Sequence, residues 1–320
     1  MNKRPPAWLL PNLMSLDAPL VALVWMWMLA RVMRVQHIEA SSYLVLAGGV
    51  WCVYVLDRIR DVRSGKHPIA DEMPWRHHFH WRYKGVLLTA VAVVVAVCAY
   101  ISLFVLSREM LVLGLAALFL VFCYWFISRF DRGEVAYAKN MVAGLTFAFG
   151  VAGPSVISSE PLPFVLDDVF RPFSVVYDSG GGVGYLTACF DALKVFVVMV
   201  LAALQVVLMS THVLLFALLF VMNINAIDLW EYSRRSDDPL VKQESELSLS
   251  IGLITLVAGA VFAAAYVVDE YSLPLCYAVM VSAGLLQVIN KIRGRFSIDA
   301  LRVMADLALV VPIPVAAWLA

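Results

Sequence analysis

Two groups of polar side chains close long apolar segments, at positions where carboxylates could hold a metal ion. Asp57 and Asp61 are four residues apart, so on a continuing helix they share one face about a turn apart. Two such carboxylates repel each other unless a cation lies between them, and magnesium typically takes one or two carboxylates together with phosphate oxygens and water. The alternative interpretation is a solvated helix end whose acids pair with Arg58, Arg60 and Arg63.

The second group is Asn223, Asn225, Asp228 and Glu231. The spacing of three between the last three places them on roughly one face of a helix. They interrupt a long apolar run, and ionisable groups at such a depth tend to mark function or to face a water-filled cavity. Ordinary helix termination at the membrane interface is the alternative interpretation.

The apolar segments that carry these groups make up most of the chain. Of its 320 residues, 62% are hydrophobic and only 15% are charged, which indicates lipid as the solvent. A net charge of zero argues against a nucleic-acid partner. The five cysteines form no CxxC pair, so a zinc site or a disulfide framework is not expected. We predict an all-α polytopic protein of the bacterial inner membrane, folded as one transmembrane helical domain over residues 1–320, with the bilayer as its partner.

Apolar stretches long enough to cross a bilayer predict nine transmembrane helices. Their approximate bounds are 14–30, 41–57, 85–106, 109–128, 139–157, 195–223, 248–268, 273–290 and 303–320. With a cytoplasmic amino terminus, 19 of the 24 Lys and Arg residues fall on the inner side, which the positive-inside rule favours. Asp57 and Asp228 then lie at the same, cytoplasmic face.

Two stretches fit this arrangement poorly. Residues 158–194 form a long connection with several prolines and a glycine run, which we interpret as an extracytoplasmic insertion or loop. The apolar run 195–222 would be about 42 Å long as a helix, against roughly 30 Å of hydrocarbon. It must tilt, protrude or break, and Ser210-Thr211-His212 is the expected break.

The order and sidedness of these groups resemble the UbiA superfamily of intramembrane prenyltransferases. That family has nine transmembrane helices and two aspartate-rich motifs, after the second and sixth helices. Asp57-Arg58-Ile59-Arg60-Asp61 matches the last five positions of the first motif, whereas Val53 and Tyr54 stand where it has Asn-Asp. Asn225, Asp228 and Glu231 occupy the place of the second motif, and Tyr137-Ala138-Lys139-Asn140 is similar to a reduced form of the family's Tyr-Pro-x-x-Lys-Arg.

The resemblance implies a magnesium-dependent transfer of a polyprenyl group from its diphosphate to a small, commonly aromatic, acceptor. Asp57 and Asp61 would hold one metal, with Asn225, Asp228 and Glu231 around a second. Asp57, Asp61 and Asp228 would thus be the catalytic acids. The substrate-binding residues would be Arg58, Tyr137, Lys139 and Asn225.

Two other functions stay open at this stage. A non-catalytic relative could bind a lipid or a quinone-like molecule with the same helix bundle. A secondary transporter is a weaker third hypothesis, because no convincing pair of inverted repeats is visible.

Three further polar features receive plainer interpretations. Asp17 is interpreted as a helix-start carboxylate favoured by the helix dipole. The three histidines within Arg76–Arg82 are expected to meet lipid headgroups at the interface. His212 is expected to be a packing residue with a hydrogen bond.

Overall fold

The computed structural model describes residues 6–63, 75–130, 137–159 and 184–319. Within these ranges the chain is almost entirely helical and contains no β-strand. The predicted all-α class is therefore confirmed. The loop predicted over 158–194 lies largely outside the described residues, and its last part, 184–194, belongs to a helix.

The described chain contains thirteen α-helices, which we number in order. They are α1 (Leu10–Leu13), α2 (Asp17–Val32), α3 (Ala40–Arg63), α4 (Trp75–Arg82), α5 (Lys84–Phe104), α6 (Arg108–Phe130), α7 (Tyr137–Ser159), α8 (Gly184–Leu208), α9 (Thr211–Arg235), α10 (Pro239–Tyr266), α11 (Leu273–Ile292), α12 (Ile298–Val310) and α13 (Ile313–Leu319).

Seven helices of the described chain, α3, α5, α6, α7, α9, α10 and α11, are long and apolar enough to cross a membrane. The first predicted span, 14–30, corresponds mainly to α2. Together with the helical segment Ala7–Leu13, α2 forms a pair bent by 77°, which would make an eighth crossing if the pair is one span. The chain is thus a polytopic membrane protein. The predicted ninth span, 303–320, is divided into α12 and α13 around Pro312. Nine crossings and a cytoplasmic amino terminus remain predictions.

The apolar run 195–222 is broken where the sequence indicates. Helix α8 ends at Leu208 and α9 begins at Thr211, so a single span over 195–223 is wrong. Ser210 is extended before the first turn of α9, and His212 bonds to Ser272 at 2.7 Å. His212 is therefore the hydrogen-bonded packing residue that was predicted, and it ties α9 to the start of α11.

Helices α6, α7 and α9 approach closely at glycines, as small residues allow in membrane bundles. A side-chain carbon at Gly144 would lie 2.3 Å from a methyl group of Val221 and 3.1 Å from its backbone nitrogen. A carbon at Gly153 would lie 2.6 Å from Leu113. These contacts place α7 between α6 and α9. The ends of the three helices therefore lie near one another.

A buried aromatic group fills the middle of the bundle. Trp25 stacks on Phe216 with ring centroids 4.5 Å apart, and Phe147 stacks on Phe220. The indole nitrogen of Trp25 donates to the carbonyl of Leu309, 3.1 Å away. This bond joins α2 to α12 through the core, so the two ends of the chain close one side of the bundle.

Candidate functional site: a charged cavity at one end of the bundle

A cavity of about 1130 Å³ lies between α2, α3, α5, α6, α7, α9 and α12. Small-molecule sites in proteins commonly measure about 300–1,000 Å³, so this space is large enough for a substantial ligand. One part of its wall is charged and the rest is mostly apolar. The charged lining residues are Asp17, Asp57, Arg58, Asp61, Lys139, Asp228, Glu231, Arg235, Arg302 and Asp306.

The cavity brings together most of the site residues predicted from the sequence. Asp57 and Asp61 come from the end of α3, Lys139 from the start of α7, and Asp228 and Glu231 from the end of α9. The two acidic groups therefore lie at the same end of the bundle. Which side of the membrane that end faces stays a prediction.

Two predicted substrate-binding residues do not line the cavity. The side chain of Tyr137 is about half exposed on the outside of α7. Asn225 is buried behind the cavity wall, where its carbonyl oxygen accepts a hydrogen bond from Asn140. Neither side chain is placed to touch a ligand in this cavity, although Asn225 helps to fix the wall.

Asp57 is held by two donors from different parts of the fold. The hydroxyl of Tyr124 on α6 donates to its Oδ1 at 3.1 Å, and Arg60 donates to the same oxygen. The pairing with Arg60 is what the helix-end interpretation predicted. However, Asp57 lines the cavity with only 22% of its side chain exposed, so it is not an ordinary solvated acid.

Arg58 is buried and forms hydrogen bonds with the segment that joins α1 to α2. Its guanidinium donates to the carbonyl of Asn12 and to the hydroxyl of Ser15, and it lies 3.6 Å from the carboxylate of Asp17. Arg58 contributes to the cavity wall, but much of its hydrogen-bonding capacity is used within the protein. A role in holding the wall is better supported than direct phosphate binding.

The location of His80 differs from the one predicted from the sequence. His80 is fully buried rather than interfacial, and its Nε2 lies 3.1 Å from the hydroxyl of Ser15. Ser15 has a φ of 58°, which forms the sharp turn between α1 and α2. This turn also directs Asp17 into the cavity wall at the first residue of α2. The histidine run gave no signal for this contact because the two partners are 65 residues apart.

Asn140 organises the opposite wall. Its amide nitrogen donates to Asp228 at 2.8 Å and to Asn225 at 2.9 Å, so one side chain of α7 fixes two side chains of α9. Its neighbour Lys139 lines the cavity, with its ammonium 5.7 Å from the ring centre of Tyr124. Lys139 therefore adds a positive charge to the cavity that the acids of both groups line.

Glu231 is an ion-paired residue rather than a simple metal ligand. One carboxylate oxygen accepts from the guanidinium of Arg302 at 2.5 Å, and the other lies 3.3 Å from Arg235. Arg302 also bonds to Asp299 at 2.9 Å and is only 2% exposed. The predicted magnesium role of Glu231 is therefore poorly matched by its surroundings.

The carboxylates fit magnesium only if a bound phosphate compound supplies the remaining oxygen atoms around the metal. Across the described ranges, no three His, Cys, Asp or Glu side chains are grouped closely enough to hold a metal ion by themselves. Asp57, Asp61 and Asp228 are nevertheless oxygen donors on the wall of one cavity. Magnesium commonly needs only one or two carboxylates when a phosphate group completes its shell.

Asp306 on α12 was not predicted from the sequence as a site residue. It lines the cavity close to Asp17, Arg58 and Asn223. A signal was available, since Asp306 is the one ionisable residue between positions 303 and 320, and an acid within an apolar segment is a functional candidate by default. The cavity thus has an acidic pair on its α2–α12 side as well.

Comparison with known proteins adds no assignment to this geometry. No family model, no curated protein and no solved structure matches the chain.

Proposed function

We propose that this protein is a UbiA-like membrane prenyltransferase that moves a polyprenyl group from its diphosphate to a small, aromatic acceptor. One observation carries the proposal: Asp57, Asp61 and Asp228, from two helices distant in sequence, line the charged end of a single, otherwise mostly apolar cavity. Such a cavity suits an amphiphile with an anionic head and a hydrocarbon tail. The resemblance of the motif around Asp57 to that of the family supplies the reaction class.

The charged wall offers separate groups for the metal and for the diphosphate. Asp57, Asp61 and Asp228 would hold magnesium, which neutralises charge on the departing diphosphate when bound. Lys139 and Arg235 line the same cavity and would orient the phosphate oxygens. Tyr124 and Asn140 fix the carboxylates of Asp57 and Asp228 before a ligand arrives, which lowers the cost of organising the site.

The apolar wall would hold the prenyl chain and exclude water from the allylic carbon. Val50, Leu113, Phe147 and Phe220 are among its lining residues. Water exclusion matters because water would compete with the acceptor for an allylic carbocation. Aromatic rings on this wall also offer faces that attract a cation.

A non-catalytic lipid- or quinone-binding protein is the second candidate. Two observations favour it. Glu231 forms ion pairs with two arginines, and Arg58 donates hydrogen bonds to the turn between α1 and α2. A binding protein of this kind needs the apolar cavity but no metal. The two functions therefore differ in whether ligand binding depends on magnesium.

Magnesium-dependent binding of a nonhydrolysable prenyl diphosphate tests the proposal. We expect the purified protein in detergent to bind farnesyl thiolodiphosphate with magnesium present and to lose at least about tenfold in affinity with EDTA, since the acidic wall repels an unneutralised diphosphate. Isothermal titration would measure both constants. Farnesol, which has the chain without the charge, is the matched ligand control.

Either of two results would overturn the proposal that the protein is a prenyltransferase. Equal binding of farnesol and of the diphosphate analogue, with or without magnesium, would favour the lipid-binding alternative. Absence of binding for both ligands would remove both functions.

A further inference from the structure

Three buried oxygen atoms on the α2–α12 side of the cavity accept no hydrogen bond from any described residue. They are the Oδ1 atoms of Asn12 on α1, Asp17 on α2 and Asn223 on α9. Asn12 and Asn223 are almost fully buried, with 3% and 2% of their surface exposed. Buried acceptors in native proteins are nearly always paired, because water no longer reaches them. These three oxygens therefore indicate a bound partner.

The three oxygens belong to one contiguous set of side chains. The amide nitrogen of Asn12 donates to the other carboxylate oxygen of Asp17 at 2.5 Å. The carboxyl group of Asp306 on α12 interacts with the side chains of Asp17 and Asn223. All four side chains line the cavity. We call Asn12, Asp17, Asn223 and Asp306 the junction cluster, because α1, α2, α9 and α12 each supply one of its members.

The junction cluster lies at an interrupted helix. The segment Ala7–Leu13 and α2 are bent by 77°, and Asn12 and Asp17 stand on the two sides of the bend. In membrane proteins, helices that are broken in this way commonly hold small cations, because the break places polar groups of both halves inside the bundle. The backbone arrangement around the unpaired oxygens therefore favours an ion as their partner.

The charges of the junction cluster favour a monovalent cation. Asp17 and Asp306 each bring a carboxylate, and the guanidinium of Arg58 lies 3.6 Å from Asp17. One negative charge is left over, and buried charges in proteins are paired or bind metals. A proton shared between the two carboxyl groups would remove this charge, but it would leave the amide oxygens of Asn12 and Asn223 unpaired. A metal ion satisfies the carboxylates and the amides together.

The burial of these oxygens distinguishes among metal ions. Each unpartnered oxygen exposes less than 1 Å² of surface, so an ion that binds there gives up most of its water. Magnesium dehydrates reluctantly and usually keeps several water molecules. Calcium takes about six to eight oxygens, and its double charge exceeds the single charge left over. Sodium needs only one compensating charge and accepts carboxylate and amide oxygens.

We infer that the junction cluster is a sodium site, separate from the magnesium site of the proposed function. The bound ion ties the junction of α1 and α2 to α9 and α12, and so holds the part of the cavity wall that Asp17 and Asp306 form. The inference does not depend on the proposed function, because the cluster contains none of the residues assigned to magnesium or to the diphosphate.

Binding of radioactive sodium to the purified protein in detergent tests the inference. Choline chloride keeps the ionic strength constant, and neither magnesium nor a diphosphate analogue is added. We expect saturable binding of one ion per chain and a rise in melting temperature of about 3 °C or more, since the ion binds only the folded state. Asp306→Asn removes the leftover charge but keeps the side-chain shape, and should lower the affinity at least about tenfold. Absence of saturable binding to the wild type would overturn the inference, whatever the diphosphate experiments show.

Two leucine variants separate the sodium site from a general loss of stability. Asn223→Leu and Asn290→Leu both remove a buried amide, but Asn290 does not line the cavity and its carbonyl oxygen accepts from Trp230. We expect sodium affinity to fall about tenfold or more in Asn223→Leu and to stay within about twofold of wild type in Asn290→Leu. Asp57→Asn/Asp61→Asn should also keep the wild-type affinity. Equal affinities in the two leucine variants, or a loss in Asp57→Asn/Asp61→Asn, would contradict a separate site.

Competition on the wild type keeps the inference testable if a variant does not fold. Unlabelled sodium should displace the bound radioactive ion, whereas the same concentration of magnesium should leave most of it in place. Displacement by magnesium that is as effective as displacement by sodium would assign the ion to the magnesium site and contradict the inference.

Discussion

Replacing Asp57 and Asp61 together by asparagine is expected to weaken magnesium-dependent binding of a prenyl diphosphate by more than about 100-fold. Loss of groups that only support metal ligands typically costs 10–100-fold, and these two carboxylates are assigned as ligands themselves. Asparagine keeps the shape and one oxygen of each side chain, so the wall should stay in place. The measurement is titration with farnesyl thiolodiphosphate, with and without magnesium.

The double variant should remain folded and inserted. Asp57 loses its ion pair with Arg60, whose side chain is 36% exposed, and such partly exposed pairs are worth about 1 kcal/mol or less. Asp237→Asn/Glu244→Gln removes two exposed charges away from the cavity and serves as the control. Magnesium-dependent affinity that is the same in both double variants would remove the assigned role of Asp57 and Asp61.

Replacing Arg302 by methionine is expected to destabilise the protein by about 3 kcal/mol. Removing one partner of a buried ion pair leaves the other charge uncompensated, which typically costs 3–5 kcal/mol. The lower end applies here because Glu231 keeps Arg235 as a partner. The melting temperature and denaturant midpoint in detergent would measure the loss, with the exposed Arg295→Met as control.

A second substitution separates the ion pair from simple loss of packing. In Arg302→Met/Glu231→Gln, the uncompensated charge is removed, so we expect part of the lost stability to return. If the double variant is as unstable as Arg302→Met plus the separate effect of Glu231→Gln, the two side chains do not interact and the pairing is contradicted.

The shared location of Asp57, Asp61 and Asp228 at one end of the bundle could be predicted from the sequence because it depends on local patterns. The spacing of Asp57 and Asp61 places them on one helix face, and the alternation of apolar runs brings Asp228 to the same end of the bundle. The helix break at Ser210 could also be predicted, because the apolar run is too long for the hydrocarbon layer. These features need only helix geometry and the thickness of a bilayer.

The partners of those residues could not be predicted in this way. Asn140 contacts Asp228 and Tyr124 contacts Asp57 across separations of 88 and 67 residues, which no helical periodicity encodes. The burial of His80 depends on the turn at Ser15, and the pairing of Glu231 depends on where α12 packs.

Manganese electron paramagnetic resonance would test the central claim most directly, because Mn²⁺ can replace Mg²⁺ and reports its own ligands. The protein would be titrated with Mn²⁺ in detergent, alone and with farnesyl thiolodiphosphate. We predict weak binding without the analogue and tight binding with it, with phosphorus coupling to the metal, and loss of this signal in Asp57→Asn/Asp61→Asn. Tight Mn²⁺ binding that needs no diphosphate, or a ternary signal that persists in the double variant, would contradict a diphosphate site at the end of α3.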